Sequence, residues 1–310
     1  MPVPVLLSSI PFSPEQVQAL QGVEVILALD RAAFTAALPR ADFAVGRVTA
    51  ADLGSASRLR WLQVPFTGVE SVPLKDLTAR GVVVTNIHEQ ADSMADHAMM
   101  LILALARGLG DCVRSQGAAE WRQPRVGEVA GLTLLAAGFG AVGRATAARA
   151  RACGMSVIAL RRSEPAPDPL ADEVVGPADL LRVLPRVYAV ANSLPLTPAT
   201  RGMFDSRAFA ALPAGALYVN VGRGPTADED ALAASLASGH LGGAGLDVFA
   251  VEPLPSDHPL WRAPRTLITP HLGGHQRDRG GRVHAIVAEN LRRYTRGQPL
   301  RNLVDAEAGY

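Results

Sequence analysis

Gly138-Phe139-Gly140-Ala141-Val142-Gly143 constrains this chain more than any other stretch. The apolar run 132–137 leads into it, the alanine-rich segment 141–153 has helical character, and a second apolar run follows at 155–160. Strand, glycine turn, helix and strand in that order are the context in which G-x-G-x-x-G marks a dinucleotide site. The first glycine permits the sharp turn, the second lets a pyrophosphate approach the backbone, and the third lets helix and strand pack closely. The phosphate charge then meets free N–H groups at the positive end of the helix dipole. The spacing therefore predicts an α/β domain that binds a dinucleotide at residues 138–143.

The 310 residues leave room for a second domain of ordinary size. With 48% hydrophobic and 19% charged residues, a large core is expected and disorder is not. Thirty basic against 29 acidic residues leave a net charge of +1. That balance gives no electrostatic ground for nucleic acid or an anionic membrane as partner. Cys112 and Cys153 are distant and form no C-x-x-C, so free buried thiols in a reducing compartment are expected. Residues 1–7 are apolar but lack a basic n-region and read as a first strand rather than a signal peptide. The nearest approach to a membrane span, 98–106, stops at Arg107. A soluble, cytoplasmic protein is expected.

Up to about residue 90, short apolar runs alternate with helical segments. Strands are predicted at 3–7, 23–28, 43–45, 61–64 and 82–85, and helices at 14–20 and 30–38. Such alternation predicts a parallel sheet. The segment 63–70 lies just past a strand end, where ligands bind in open parallel sheets, although its glycine could equally serve chain geometry alone. Residues 93–109 read as one long helix, apolar nearly all round, and therefore buried between domains or at a subunit interface. His88 lacks a second histidine four residues later, which excludes a zinc-protease site, and His97 reads as a packed core residue. Further strands are predicted at 187–191, 216–221, 243–246 and 267–269, helices at 206–212 and 229–238, and a loop at 163–169. The helix predicted at 279–294 is expected to return to the first domain.

Arg161-Arg162-Ser163 ends the second strand of the glycine unit. A carboxylate there reads a free ribose 2′-hydroxyl, whereas arginine meets a 2′-phosphate, so NADP(H) is preferred and NAD(H) remains possible. Three other apolar runs end in Arg223, Glu252 and His271. An arginine can clamp a carboxylate, a histidine can pass a proton to a carbonyl oxygen, and a nearby carboxylate favours the imidazolium form.

These motifs resemble the D-isomer-specific 2-hydroxyacid dehydrogenase family from about Gln63 to the C-terminal helix. The similarity rests on residues 138–143, Ser193-Leu194-Pro195-Leu196-Thr197, Asn220-Val221-Gly222-Arg223-Gly224, Gly245-Leu246-Asp247-Val248-Phe249 with Glu252-Pro253, and Thr269-Pro270-His271. The resemblance implies two Rossmann-like domains with doubly wound parallel sheets and an active-site cleft between them. Residues 1–92 with 275–310 would form a flavodoxin-like substrate domain and 93–274 the dinucleotide-binding domain. It also implies a homodimer, with 93–109 and the arm around Trp121 as contacts.

Carried over by motif, Arg223 would bind and polarise a 2-oxo acid, His271 would be the general acid, and Glu252 would orient it. The backbone of Thr67, Gly68 and Val69 would receive the substrate carboxylate, and Asp247 would contact the nicotinamide carboxamide. Gly138, Phe139, Gly140, Ala141, Val142, Gly143, Arg161, Arg162, Ser163, Leu194, Pro195, Thr200, Val221, Gly222 and Gly273 would complete the cofactor site, with no metal implied. Arg161 in place of an acidic residue resembles the NADPH-using glyoxylate and hydroxypyruvate reductases of the family. The activity implied is reduction of a small 2-oxo acid to the D-2-hydroxy acid. A nucleotide-sensing scaffold, as in the family's corepressors, and phosphite-type oxidation are the alternatives, and turnover across a substrate panel separates them.

Overall fold

The computed structural model describes residues 3–88, 90–162, 166–307 and 309. Its contacts divide the chain into two units, Met1–Glu89 with Gln276–Tyr310, and Gln90–His275.

The first unit carries β1 (Val5–Ser8), α1 (Pro14–Ala19), β2 (Glu24–Leu27), α2 (Arg31–Ala37), β3 (Phe43–Val45), β4 (Trp61–Gln63), α3 (Leu74–Ala79) and β5 (Val83–Thr85). Local chemistry starts the helices. Ser13 and Gln16 form a capping box with Pro14 in the first turn of α1, and Asp30 accepts the Ala33 amide at the start of α2. The strands lie in the order β2-β1-β3-β4-β5, all parallel, the flavodoxin-like arrangement. A buried polar chain crosses β4 and β5. Trp61 Nε1 donates to Thr85 Oγ1 at 2.9 Å, Thr85 donates to Gln63 Oε1 at 2.8 Å, and Asn290 Nδ2 reaches the same oxygen at 3.2 Å. Every link has a partner, which is what keeps polar groups tolerable in a core.

The second unit runs through α4 (Ala91–Ala106), α5 (Leu109–Gly117), β6 (Thr133–Ala137), α6 (Ala141–Ala152), β7 (Ser156–Leu160), β8 (Glu173–Val175), α7 (Leu180–Val183), β9 (Ala189–Asn192), α8 (Ser206–Ala211), β10 (Leu217–Asn220), α9 (Glu229–Ala237), β11 (Gly243–Leu246) and β12 (Thr266–Ile268). The sheet order β12-β11-β10-β9-β6-β7-β8, parallel throughout, is that of a doubly wound nucleotide-binding sheet with its switch point between β6 and β9. Alternate residues of β6 enter opposite cores: Leu134 and Ala136 pack on one face, Leu135 and Ala137 on the other. Both faces are buried, as an all-parallel sheet requires. The chain then re-enters the first unit as α10 (Arg279–Thr295), whose Val283, Ile286, Val287 and Leu291 pack with Phe43 and Trp61.

The structure departs from expectation in several places. The helix expected at 93–109 starts at Ala91 and stops at Ala106, because Gly108 turns left-handed at φ 63° and a separate helix begins. Much of its apolar surface packs against β10, β11 and α6 of its own unit, while Met100 stays exposed. Glycine makes this possible: a Cβ at Gly245 would stand 2.8 Å from Leu101 Cβ. Cys112 is exposed on α5, a helix with no buried residue, so it is no core thiol. Short elements at α3, β8 and α7 lay below the reach of hydrophobic periodicity. Among the described residues no helix is long and apolar enough to cross a membrane.

Candidate active site

The glycine turn joins β6 to α6 at the switch point. Gly138 adopts φ 87° and its amide donates to Leu160 O at 3.0 Å. Ser193, just past β9, donates to Gly138 O at 2.9 Å, so the two strand ends that flank the switch point are tied together. A Cβ on Gly143 would fall 2.0 Å from Gly138 O, whereas one on Gly140 would meet nothing within 4 Å. Gly140 is also the N-cap of α6, with no side chain capping the first turn. Open space over uncapped N–H groups fits a pyrophosphate, so the residues present suit a dinucleotide.

At the end of β7, Arg161 is half-buried and Arg162 exposed, while Ser163 lies outside the described residues. Arg161 donates from Nη2 to Ala166 O at 3.1 Å. A carboxylate does stand near this turn, although not next to the strand. Asp168 is held below its ordinary pKa by the Leu170 amide, by its ion pair with Arg144, and by the charge of Arg161.

Arg223, Glu252 and His271 follow β10, β11 and β12, three adjacent parallel strands, at the carboxyl edge of the sheet. His271 Nδ1 lies 2.7 Å from Glu252 Oε2. The carboxylate can only accept, so Nδ1 carries the proton and Nε2 is the position left for proton transfer. Glu252 is fixed in turn, because its Oε1 accepts the Phe249 amide at 2.9 Å. Arg223 is half-buried, and its Nη1 donates to Gly222 O at 2.7 Å. The next residue closes on the Glu252 loop: a Cβ on Gly224 would fall 2.0 Å from Phe249 C. The Arg223 and Glu252 loops therefore touch, backbone to backbone.

His271 holds a left-handed backbone, φ 53°, which costs a histidine energy unless its surroundings impose it. Asp247 imposes it. The Asp247 carbonyl accepts the His271 amide at 3.0 Å. Its carboxylate accepts Thr269 Oγ1 at 2.6 Å and the amides of Leu272 and Gly273 at 2.8 Å each. His97 Nε2 lies 2.8 Å from Thr269 Oγ1 and 3.3 Å from Asp247 Oδ1. Burial pushes the Asp247 pKa up, but donation from His97, Thr269, Gly273 and Leu272 outweighs it and brings the group to about 2. Asp247 is thus buried and shapes the histidine loop. His97 is a member of the same network, not a passive core residue. Its only signal in sequence was a polar residue on an otherwise apolar helix face.

The remaining expected positions lie as follows. Leu194, Val221 and Phe139 are buried among the core residues, and Val142 is half-buried. Ala141 opens α6, and Gly222 packs on the 193–194 backbone, where a Cβ would meet Leu194 O at 2.7 Å. Thr200 donates to Pro195 O at 2.6 Å and so builds its own turn. In the first unit, the 65–69 loop is pinned by Thr67 Oγ1 donating to Ile87 O at 3.0 Å and by Asn86 Nδ2 donating to Thr67 O at 2.8 Å. Gly68 is half-buried and Val69 is buried in the core beneath.

Fold and site together define a dinucleotide-binding α/β protein with a histidine–carboxylate pair at its sheet edge. The family model for the D-isomer specific 2-hydroxyacid dehydrogenase NAD binding domain matches residues 99–273, and the chain belongs to that family. It is 35% identical to D-3-phosphoglycerate dehydrogenase of Mycobacterium leprae, over all of this chain and 60% of that one. It therefore spans about three fifths of that relative's length. It is 34% identical to glyoxylate/hydroxypyruvate reductase B of Salmonella schwarzengrund, covering 84% of this chain and 82% of the other. Among solved structures, the NADPH-dependent glyoxylate/hydroxypyruvate reductase of Sinorhizobium meliloti, in complex with NADP and sulfate, superimposes with a TM-score of 0.83 at 30% identity. That match covers 99% of this chain and all of the other.

Proposed function

We propose that this chain is an NADPH-dependent reductase of a small 2-oxo acid, with glyoxylate and hydroxypyruvate the first candidates. The observation that carries the reading is the 2.7 Å contact between His271 Nδ1 and Glu252, beside the loop of Arg223. Glu252 sets the orientation of the imidazole, so Nε2 can deliver a proton to the carbonyl oxygen of the substrate. The Arg223 guanidinium binds the substrate carboxylate and polarises the 2-oxo group. A nicotinamide bound there would supply the hydride. Residues 138–143 hold the pyrophosphate, and Arg161 with Arg162 meets the 2′-phosphate. Asp247 holds the His271 loop in place for the proton transfer.

A homodimer built on the nucleotide-binding unit is part of the same reading. Met100, Leu109, Val113, Trp121 and Val126 are exposed within one stretch of 27 residues. Trp121 is 95% accessible, an unusual state for a tryptophan that has no partner to cover it.

A panel of 2-oxo acids assayed with NADPH and with NADH tests the reading. Oxidation of NADPH by glyoxylate or hydroxypyruvate is the expected result. No turnover with any 2-oxo acid and either cofactor would remove it.

A further inference from the structure

Behind the Glu252 turn lies a second glutamate–histidine pair. Glu229, in the first turn of α9, points one carboxylate oxygen at the Ala250 amide, 2.7 Å away. Its other oxygen lies 3.3 Å from His258 Nε2. The side chains of Glu229 and His258 are only 15% and 20% exposed. His258 caps the short turn Pro259–Arg262 by accepting the Leu260 amide at Nδ1, 3.3 Å. With Nδ1 accepting, the ring proton sits on Nε2, the atom that faces Glu229. Leu260 is fully buried beside Leu232 of α9, which anchors both partners to the core.

The turn between Phe249 and Glu252 is therefore gripped from two sides. Glu229 holds Ala250, and Gly224 presses against the Phe249 and Ala250 backbone, where a Cβ would come within 2.4 Å of Ala250 N. The same turn sends Glu252 Oε1 back to the Phe249 amide and Oε2 forward to His271. A carboxylate on an exposed loop has many orientations, and holding it at one removes that freedom before substrate arrives.

We propose that Glu229, oriented by His258, is a positioning residue for the Glu252–His271 pair. This rests on the reading that the pair performs proton transfer. Glu229→Ala should lower kcat about 10- to 100-fold, leave KM for the 2-oxo acid within about twofold, and shift the pH limits of kcat/KM. Glu229→Gln, whose amide oxygen can still accept from Ala250, should recover most of kcat. Hydrogen exchange at the Ala250 amide should speed up in the alanine variant and not in the glutamine variant. Should Glu229→Ala not fold, Glu229→Asp carries the test, since it keeps the charge and withdraws it by one methylene. A folded variant with the kcat and pH profile of the parent overturns the positioning role. A parent without turnover on any 2-oxo acid overturns the proton-transfer reading, and this proposal with it.

Discussion

The carboxylate of Asp247 faces the imidazole of His97 at 3.3 Å, with Thr269 hydrogen-bonded to both. This contact ties helix α4 to the loop that carries His271. It links the general-acid candidate to the core of its unit through a residue 172 positions from Thr269.

Asp247 makes acid stability a test of that network. Its folded pKa of about 2 lies below the ordinary 3.8, so the ionised group stabilises the fold at pH above about 4. That contribution, about 2 kcal/mol, is lost as pH falls from about 4 to 2. Urea midpoints across this range should fall more steeply in the parent than in Asp247→Asn. Parallel curves would mean that the carboxylate is not held as described.

Replacing His271 by asparagine removes the proton donor and leaves the glycine turn untouched. kcat should fall about 10²- to 10⁴-fold while NADPH still binds, measured by quenching of nicotinamide fluorescence. Unchanged turnover would take His271 out of the mechanism.

Arg161→Asp should move the ratio of NADPH to NADH efficiency toward NADH by about 10- to 100-fold, the equivalent of one charge-assisted hydrogen bond. An unmoved ratio would place the 2′-phosphate elsewhere.

The glycine turn gives a paired test. Gly143→Ala puts a methyl 2.0 Å from Gly138 O and should cost about 1–3 kcal/mol of stability, read as a lower Tm. Gly140→Ala meets no protein atom within 4 Å, so its Tm should hold while cofactor Kd rises about tenfold or more. Equal cofactor affinity in Gly140→Ala would deny that the pyrophosphate lies there.

Val113 is 58% exposed on α5. If this face joins two copies, light scattering should give twice the 32.5 kDa chain mass for the parent, and Val113→Asp should shift it toward one. A monomeric parent would dismiss the dimer.

Much of this could be read directly from residue order. The run 133–160 declares strand, turn, helix and strand because each signal is local: apolar alternation, three glycines at fixed offsets, then an alanine-rich face. Arg223, Glu252 and His271 were legible because each ends an apolar run, and parallel strands bring all such ends to one edge. What lay beyond reach depended on partners distant in sequence. His97 looked like core until Thr269 and Asp247 arrived beside it, and Asp168 could not be placed near Arg161 by counting from the strand end. Nor could apolar content show that α4 would nestle on Gly243 and Gly245 of its own sheet. Sequence alone determined which chemical groups the chain carries and the local elements that hold them. The tertiary structure decided their partners, because a hydrogen bond is set by a few tenths of an ångström that no one-dimensional pattern encodes.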